Sequence, residues 1–330
     1  MSPERGFVTL SSSKGERPAV AVLFRVPDAV LARLRERFTV VDLAAVPRTE
    51  WAPALRDVVG VLASSNVRLD AAFFAEAPAL KIVAMQSVGY DNVDLSVLRE
   101  RGIMLSNSRG SLVEAVADLA YGLLIMAVRR LGAAMAWARS GRWLAEGDMP
   151  YSHDLAGATL GIVGFGAIGQ AVARRAHASG MNVIYHARTA RDDDAHTGAS
   201  YRSFEDLLAE SDCVVALLPL TPQTRGMFND AAFARMKPTA TFVNAARGAI
   251  CDTGALLRAL EDEQIAGAAL DVTDPEPLPP DHPLYAREDV VIVPHVGSAT
   301  IETRTRMAML AAENLIAYLD GKPLPTQVRI

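Results

Sequence analysis

The sequence predicts an α/β protein made of two doubly wound parallel-sheet domains, and two observations predict this fold class. Short apolar runs of strand length alternate with helical patterns along most of the 330 residues. Strands that alternate with helices pair into parallel sheets that carry helices on both faces. One long apolar helix, predicted over residues 110–131, interrupts the alternation and divides it into two units. A chain of this length also suggests about two domains.

The first unit is expected to hold five strands. Apolar runs of strand length cover residues 19–24, 39–43, 58–62, 80–85 and 103–105. Pro27 stands at a favourable first helical position, and Val30, Leu31 and Leu34 follow with helical spacing. Another helix is expected near residues 71–77.

The long helix over residues 110–131 is apolar around most of its circumference, which predicts that it is largely buried. It either links the two domains or lines a contact between subunits. A second helix should follow over residues 133–140 and end at the glycine of position 141.

The second unit is expected to hold six strands, a number that fits a doubly wound Rossmann sheet. The strand-length runs are residues 159–163, 182–187, 213–218, 240–244, 266–272 and 290–293. Ser203 is expected to cap a helix over residues 203–210, with Asp206 completing a near-match to a capping box. A further helix is predicted over residues 253–260.

The last predicted helix, residues 300–319, follows the sixth strand of the second unit. We expect it to return to the first unit. We therefore predict that residues 1–108 and 296–330 form one domain and that residues 109–295 form a nucleotide-binding domain inserted into it. The hinges are expected near residues 107–110 and 295–298, with the substrate in the cleft between the domains.

The first motif with chemical content follows the first strand of the second unit. Gly164, Gly166 and Gly169 form a G-x-G-x-x-G pattern that stands between a predicted strand and a predicted helix. This context is the one that a dinucleotide fingerprint requires, with Ala167 and Ile168 at the start of the helix. The free N–H groups of a helix start favour an anion such as a pyrophosphate. The alternative is an ordinary structural turn.

Four polar residues follow later strands of the same unit. Arg247, Asp271, Glu276 and His295 are expected at the carboxyl ends of the strands, where such sheets bind ligands. A histidine beside a carboxylate can donate a proton to a carbonyl oxygen that receives hydride, and an arginine can bind a substrate carboxylate. Each of these residues alone is typical of a solvated loop. Together at one edge they predict hydride transfer with acid–base assistance.

Composition excludes several other classes of protein. The net charge of −5 and the pI near 5.7 give no basic surface for nucleic acid, and no apolar run has the length of a membrane span. Residues 1–17 lack the apolar segment of a secretory signal and are expected to be a disordered leader or, around Phe7, a short edge strand. No histidine cluster has the spacing of metal ligands.

The two cysteines, Cys213 and Cys251, stand in apolar surroundings. This is typical of small core residues in a reducing compartment, which favours a cytoplasmic location. A catalytic thiol at Cys251 is the alternative, although no partner base is apparent nearby in the sequence.

These motifs together resemble the D-isomer specific 2-hydroxyacid dehydrogenase family over nearly the whole chain. The matching stretches are residues 87–94 (SVGYDNVD), 115–119 (AVADL), 161–169 (GIVGFGAIG), 218–222 (LPLTP), 242–248 (FVNAARG), 269–272 (ALDV) with Glu276 and Pro277, and 294–298 (PHVGS). The resemblance implies a Rossmann domain inserted in a flavodoxin-like substrate domain, and a homodimer formed through the long helix and the segment up to Trp143.

The resemblance also implies roles for individual residues. Arg247 would bind the substrate carboxylate, His295 would donate the proton and pair with Glu276, and Asp271 would contact the nicotinamide amide. Val88 and Gly89 would offer backbone N–H groups to the same carboxylate, and further predicted substrate contacts are Ser64 and Ser298. Further predicted cofactor contacts are Pro219, Thr224, Ala245, His295 and Gly297.

The end of the strand over residues 182–187 predicts the cofactor. Family members that prefer NAD carry an acidic residue there, which binds the ribose hydroxyls. This chain has His186, followed by Arg188 and Thr189, which could bind a 2′-phosphate, with help from Arg191. We therefore predict NADP over NAD, with NAD as a weaker cofactor. The alternative is that these arginines are solvated loop cations.

The predicted substrate is a small 2-oxoacid, glyoxylate or hydroxypyruvate. Residues 87–89, 185–188 and 294–298 resemble the NADPH-dependent reductases of these acids, and the small polar residues 64–66 fit a small polar substrate. Trp143 of a partner subunit is a second candidate for a substrate contact, or simply packs at the interface. Hydroxyphenylpyruvate, another 2-oxoacid, or phosphite or formate chemistry remain alternatives. A non-catalytic nucleotide-binding protein of the corepressor type is a distant one.

Overall fold

The computed structural model describes residues 17–190 and 197–330. The expectations for the first 16 residues and for Arg191 lie outside these ranges. The chain divides into two compact units. Unit 1 comprises the chain up to Leu112 together with Thr300–Ile330, and unit 2 is Val113–Ala299. Each boundary lies four residues beyond the one predicted from the sequence.

The strands and helices alternate along most of the chain. The strands are β1 (Ala19–Val22), β2 (Thr39–Asp42), β3 (Val58–Ala63), β4 (Ile82–Met85), β5 (Met104–Ser106), β6 (Thr159–Val163), β7 (Asn182–His186), β8 (Ser200–Tyr201), β9 (Cys213–Ala216), β10 (Thr241–Asn244), β11 (Gly267–Leu270), β12 (Val290–Ile292) and β13 (Gln327–Val328). The helices are α1 (Asp28–Arg35), α2 (Ala52–Leu55), α3 (Ala71–Glu76), α4 (Leu95–Arg101), α5 (Val113–Val128), α6 (Leu131–Arg139), α7 (Arg142–Glu146), α8 (Ala167–Ala178), α9 (Phe204–Glu210), α10 (Asp230–Phe233), α11 (Thr253–Glu261) and α12 (Ile301–Leu319).

Unit 1 contains a six-stranded sheet in the order β13-β5-β4-β3-β1-β2. The pairs are parallel except that β13 runs antiparallel to β5. Helix α12 packs on β3 and β4 of this sheet, as expected for a helix that returns to the first unit. Ala311, Ala312 and Leu315 of that helix are buried, and small side chains there let the helix lie close to the strands.

Unit 2 contains a seven-stranded sheet in the order β12-β11-β10-β9-β6-β7-β8, and all its pairs are parallel. Strand order reverses between β6 and β9, which makes a crevice at their carboxyl ends. Helices α5 and α8 pack against one another on one face, where Leu123, Leu124 and Val172 are buried. The other face is covered by α9 and α11, with Leu207 and Leu256 in its core.

The predicted fold class, two doubly wound parallel-sheet domains, is confirmed. The structure adds elements that the sequence did not reveal. Strand β8 is a seventh strand of unit 2, and the six strands expected there were one too few. Its two residues are too short for a periodic pattern. The chain after Gly141 does not end the helical region but forms the short helix α7.

Among the described residues no single helix is long and apolar enough to span a membrane. Helices α5 and α6 meet a test of length and composition only when they are taken together, across a bend of 61°.

Candidate active site

The glycine turn between β6 and α8 is shaped by close contacts of backbone with backbone. Gly164 has a φ of +102°, and a Cβ at this position would lie 2.6 Å from the carbonyl carbon of Leu217. A Cβ at Gly169 would lie 2.4 Å from the carbonyl oxygen of Gly164. Only glycine fits either position, since both the backbone angle of the first and the close approach of the second exclude a side chain.

Gly166 differs from the other two glycines of the motif. A Cβ at Gly166 would meet no atom of the described residues within 4 Å, so these residues leave the space next to it open. Gly166 is also the N-cap residue of α8 and, as a glycine, offers no side chain to cap this helix. The first N–H groups of α8, including those of Ala167 and Ile168, therefore face a space that an anion can enter.

Phe165, inside the glycine turn, stacks on Tyr185 of β7. Their rings stack with centroids 3.9 Å apart and planes 18° apart. Both side chains are buried, Tyr185 completely. This stack connects the glycine turn to the end of β7.

The end of β7 carries His186. Its Nδ1 lies 3.1 Å from the carbonyl oxygen of Arg202, and its ring lies beside Tyr201 and Phe204. Because a carbonyl oxygen can only accept, Nδ1 carries the proton of this hydrogen bond and Nε2 is left for another partner. Arg188 and Thr189, which follow, are exposed.

The loop after β9 is fixed by two threonines. The Thr224 hydroxyl donates to the carbonyl oxygen of Pro219 at 2.7 Å and accepts from the backbone N–H of Thr221 at 2.8 Å. Thr224 therefore acts in this structure as a brace of the loop that carries Pro219.

The loop after β10 presents Arg247. Asn244, the last residue of β10, accepts from the N–H of Ala246 at 3.1 Å and donates from Nδ2 to the carbonyl oxygen of Arg247 at 3.0 Å. The Arg247 side chain is half-buried, and its Nη1 donates to the carbonyl oxygen of Ala246 at 2.7 Å. Ala245 lies in the same loop at the carboxyl end of β10.

Gly248, immediately after Arg247, allows two loops to cross. A Cβ at Gly248 would lie 1.8 Å from the carbonyl oxygen of Thr273, which belongs to the loop after β11. The glycine of the Arg-Gly pair thus brings the loop of Arg247 against the loop of Glu276.

Asp271 follows β11 and is 3% exposed. Its Oδ1 accepts from the backbone N–H of Val296 at 2.6 Å, and its Oδ2 accepts from that of Gly297 at 3.1 Å. Its carbonyl oxygen accepts from the N–H of His295 at 2.9 Å. Burial raises the pKa of Asp271, although the hydrogen bond from Val296 acts in the opposite direction.

Glu276 and His295 form a close pair. His295 Nδ1 lies 2.6 Å from Glu276 Oε1, and both side chains are about two-fifths exposed, at 40% and 42%. The hydrogen bond from His295 holds the pKa of the Glu276 carboxyl below its usual value, and the charge of Arg247 adds to this effect. Glu276 is therefore ionised near neutral pH, and Nδ1 of His295 carries the proton that it donates.

His295 also has an unusual backbone. Its φ of +53° lies in the left-handed region, which non-glycine residues seldom adopt. Three hydrogen bonds from residues 295–297 to Asp271 hold this conformation. With Nδ1 on Glu276, Nε2 is the nitrogen left to exchange a proton with a ligand. Such arrangements, in which a carboxylate orients a histidine, suit general acid–base catalysis.

The predicted substrate residues of unit 1 lie after two neighbouring strands. Ser64 follows β3, and Val88 and Gly89 follow β4. Asn92 joins the two loops, because its Nδ2 donates to the carbonyl oxygens of Ser64, at 3.2 Å, and of Val67. The fourth predicted substrate residue, Ser298, belongs to unit 2 and follows Gly297.

The two cysteines are buried thiols, which does not favour the alternative of a catalytic thiol at Cys251. Cys213 and Cys251 are both buried and free. Burial raises the pKa of Cys213 to about 12 and raises that of Cys251 as well, so both thiols stay protonated near neutral pH.

Sequence reasoning found most polar residues of this edge but missed several that shape it. Asn244 and Thr221 make side-chain hydrogen bonds within their own loops. The position of Asn244 as the last residue of β10 could have drawn attention to it. The hydrogen bonds between Asp271 and the backbone after His295 had no signal in the sequence, because every non-proline residue offers an N–H group.

Comparison with known proteins identifies the family of the chain. A sequence model described as "D-isomer specific 2-hydroxyacid dehydrogenase, NAD binding domain" matches residues 121–297. The chain is 42% identical over 321 residues to a glyoxylate reductase of Thermococcus kodakarensis, covering 94% of this chain and 96% of that protein. It is 47% identical over 267 residues to a glyoxylate reductase of Aeropyrum pernix, covering 79% and 80% of the two chains.

A solved structure is similar over almost the whole chain. It is an NADPH-dependent glyoxylate/hydroxypyruvate reductase from Sinorhizobium meliloti in complex with NADP and malonate. The TM-score is 0.86 at 36% sequence identity, and the match covers 95% of this chain and 97% of that one. The family match, the identity and the coverage lead to one conclusion: the chain belongs to the D-isomer specific 2-hydroxyacid dehydrogenase family and is a nicotinamide-dependent enzyme of that family.

Proposed function

We propose that this protein reduces glyoxylate or hydroxypyruvate with NADPH to the corresponding 2-hydroxyacid, the D-isomer in the case of hydroxypyruvate, and that His295 is the proton donor. The observation that carries the proposal is the pair formed by His295 Nδ1 and Glu276 Oε1, 2.6 Å apart, at the sheet edge that also carries Arg247 and the glycine turn. General acid catalysis, an arginine and a dinucleotide site are what reduction of the 2-oxo group of a 2-oxoacid requires.

The residues of unit 2 fit a dinucleotide. The open space at Gly166 and the uncapped start of α8 suit a pyrophosphate, with Gly164, Ala167, Ile168 and Gly169 around it. Pro219, Thr224, Ala245, Asp271, His295 and Gly297 are proposed as further cofactor contacts along the carboxyl ends of the strands. When bound, the nicotinamide supplies the hydride.

Arg247 and His295 are proposed to bind and protonate the substrate. Arg247 presents planar donors to the substrate carboxylate and fixes the 2-oxo group beside the imidazole. His295 holds its proton on Nε2 and gives it to the oxo oxygen, while Glu276 stabilises the charged imidazolium and fixes the ring. Ser64, Val88, Gly89 and Ser298 are proposed as the remaining substrate contacts.

The proposed preference for NADP rests on the end of β7. His186 replaces the acid that would repel a 2′-phosphate, and its Nε2 has no part in the bond to Arg202. Arg188 and Thr189 are exposed next to it and can supply charge and a hydroxyl donor. The similar reductase of Sinorhizobium meliloti is in complex with NADP.

A small oxoacid is favoured over an aromatic one by the polar residues of the loop that begins at Ser64. The similar proteins of Thermococcus kodakarensis and Aeropyrum pernix are glyoxylate reductases. A small polar substrate also needs fewer apolar contacts than the side chain of an aromatic acid.

We also propose a homodimer. Five large apolar side chains between residues 131 and 151 are exposed in unit 2: Leu131 at 38%, Met135 at 48%, Trp143 at 66%, Leu144 at 96% and Tyr151 at 95%. Large apolar side chains exposed along one segment are typical of a protein–protein interface.

The experiment that tests the proposed function is a substrate panel with purified protein. The decrease in absorbance of the reduced cofactor is followed with glyoxylate, hydroxypyruvate, pyruvate, phenylpyruvate and hydroxyphenylpyruvate. Each acid is tested with NADPH and with NADH. The highest kcat/KM is expected for glyoxylate or hydroxypyruvate with NADPH. Arg188→Ala should lower kcat/KM with NADPH while leaving the value with NADH nearly unchanged. A clear preference of the wild-type protein for NADH, or turnover of the aromatic acids alone, contradicts the corresponding part of the proposal.

A further inference from the structure

The peptide groups after β4 are held by their carbonyl oxygens. The carbonyl oxygen of Ser87 accepts from the N–H of Ser108 at 3.0 Å. The carbonyl oxygen of Val88 accepts from Asn107 Nδ2 at 2.9 Å. The carbonyl oxygen of Gly89 accepts from the hydroxyl of Ser87 at 2.6 Å. Three successive carbonyl groups are therefore fixed.

Fixing a carbonyl also fixes the next N–H group. In a trans peptide the C=O of one residue and the N–H of the next point in opposite directions within one rigid plane. The bond to Ser108 thus directs the N–H of Val88, and the bond to Asn107 directs the N–H of Gly89. Within residues 17–190 and 197–330, neither N–H has an acceptor. Two adjacent free donors form a place where an anion can bind.

Asn107 is itself held on both sides of its backbone. It is 5% exposed. Its N–H donates to the carbonyl oxygen of Thr326 at 3.2 Å, and its carbonyl oxygen accepts from the Thr326 hydroxyl. Thr326 immediately precedes β13, so the C-terminal segment of the chain supports a loop that the sequence places 219 residues earlier.

The support continues into helix α12. Asn314 is fully buried in the middle of this helix. Its Nδ2 donates to the Thr326 hydroxyl at 2.9 Å and to the carbonyl oxygen of Leu310 at 2.7 Å, and its Oδ1 accepts from the Thr326 N–H at 3.1 Å. A buried amide is costly unless its hydrogen bonds are made, and a network that makes them all is rigid.

We infer that Asn107 is a positioning residue for the substrate carboxylate and that Thr326 and Asn314 hold it in place. Asn107 turns the peptide between Val88 and Gly89 so that its N–H faces the ligand. The inference rests on the proposed function, because the ligand is the carboxylate of the 2-oxoacid. It adds three side chains of unit 1 that do not touch the substrate but set the direction of a donor that does.

Two substitutions test this network by steady-state kinetics with glyoxylate at saturating NADPH. Asn107→Asp replaces the donating Nδ2 by an oxygen that faces the carbonyl oxygen of Val88. Thr326→Val removes the hydroxyl and keeps the shape of the side chain. We expect KM for glyoxylate to rise about tenfold in Asn107→Asp and about threefold in Thr326→Val, the range that follows from one misdirected hydrogen bond. The kcat and the KM for NADPH should stay within about twofold, because a carboxylate contact is made equally in ground and transition states.

Arg101→Met is the matched control. Arg101 ends helix α4 in unit 1, and its guanidinium donates to the carbonyl oxygens of Phe74, Ala77 and Pro78. Its loss should lower the thermal midpoint of unfolding without changing KM for glyoxylate. Thermal unfolding of all variants is recorded alongside.

The outcomes separate this inference from the proposed function. If the wild-type protein reduces no oxoacid, both are overturned. If the wild type reduces glyoxylate and Asn107→Asp and Thr326→Val keep the wild-type KM, or change it only as much as Arg101→Met does, the network has a structural role alone and the inference is wrong.

Discussion

Asp271 accepts a 2.6 Å hydrogen bond from the backbone N–H of Val296, the residue next to the proposed proton donor. Its second carboxylate oxygen accepts from Gly297 at 3.1 Å. A Cβ at Gly297 would lie 2.9 Å from that oxygen, so a larger residue there would displace the carboxylate. The carboxylate thus fixes the left-handed conformation of His295 from the neighbouring strand.

Asp271→Asn tests this relationship. The amide would present a donor to one of the two N–H groups, which leaves a buried pair of donors facing one another. We expect kcat to fall about tenfold or more, because His295 loses its fixed position, and we expect a lower thermal midpoint of unfolding. A variant with wild-type kcat would show that Asp271 has no influence on the histidine.

Glu276→Gln removes the charge that faces His295. We expect kcat to fall about 10- to 100-fold, because the amide stabilises the imidazolium less than a carboxylate does. The KM for NADPH should change little. Glu100→Gln, an exposed glutamate of α4, is the control and should behave like the wild type.

The effect of Glu276→Gln on the free energy of unfolding should depend on pH. The pKa of Glu276 is lower in the folded protein than its usual value. Its contribution to the free energy of unfolding is therefore complete above the unfolded value of about 4.3 and is lost as pH falls through the folded pKa. The free energy of unfolding, measured with urea, should be higher for the wild type than for Glu276→Gln at pH 6. This difference in free energy should shrink below about pH 4. A difference that grows on acidification would contradict the assigned shift.

Two glycine substitutions separate folding from nucleotide binding. Gly248→Ala places a Cβ 1.8 Å from a backbone oxygen and should lower the free energy of unfolding by about 2 kcal/mol or more. Gly166→Ala places its Cβ in open space and should leave stability near wild type. It should nevertheless weaken NADPH binding at least about tenfold, measured by fluorescence titration, because the Cβ occupies the space proposed for the pyrophosphate. Equal effects of both variants on stability would refute this distinction.

The proposed dimer predicts the effect of a charge on its surface. Leu144→Arg and Trp143→Arg place a cation among the exposed apolar residues of α6 and α7. We expect light scattering to give a dimer mass for the wild type and a shift towards the monomer for both variants. Met135 lies in the same segment, so the double variant Met135→Arg/Leu144→Arg should shift further towards the monomer than Leu144→Arg alone. A wild-type protein that is monomeric at micromolar concentration rules out the proposal.

The features that could be predicted from the sequence depend on residues that are close together in the chain. The strand–turn–helix order identified the glycine turn, because each part depends on residues close together in the chain. Ser203 was predicted as the cap of α9, and its hydroxyl accepts from the N–H of Asp206 at 3.1 Å. The positions of Glu276 and His295 followed from their places after parallel strands and from the resemblance to a family.

The features that escaped prediction are long-range. Asn107 and Thr326 are buried polar residues that are bonded to one another across 219 residues of sequence. Asn314 bonds to Thr326 from inside a helix whose sequence pattern gives no sign of this contact. The contact of Gly248 with Thr273 depends on the packing of two loops. Strand β8 has two residues and no periodicity to detect.

Whether His295 donates the proton is measured by comparing the wild-type protein with His295→Ala in the reduction of glyoxylate by NADPH. We expect kcat to fall about 10²- to 10⁴-fold, the range for loss of a general acid, with the affinity for NADPH within about threefold of wild type. Turnover by His295→Ala close to that of the wild type, measured in the same preparation and with unchanged binding of NADPH, would contradict this role of His295, because another group would then supply the proton.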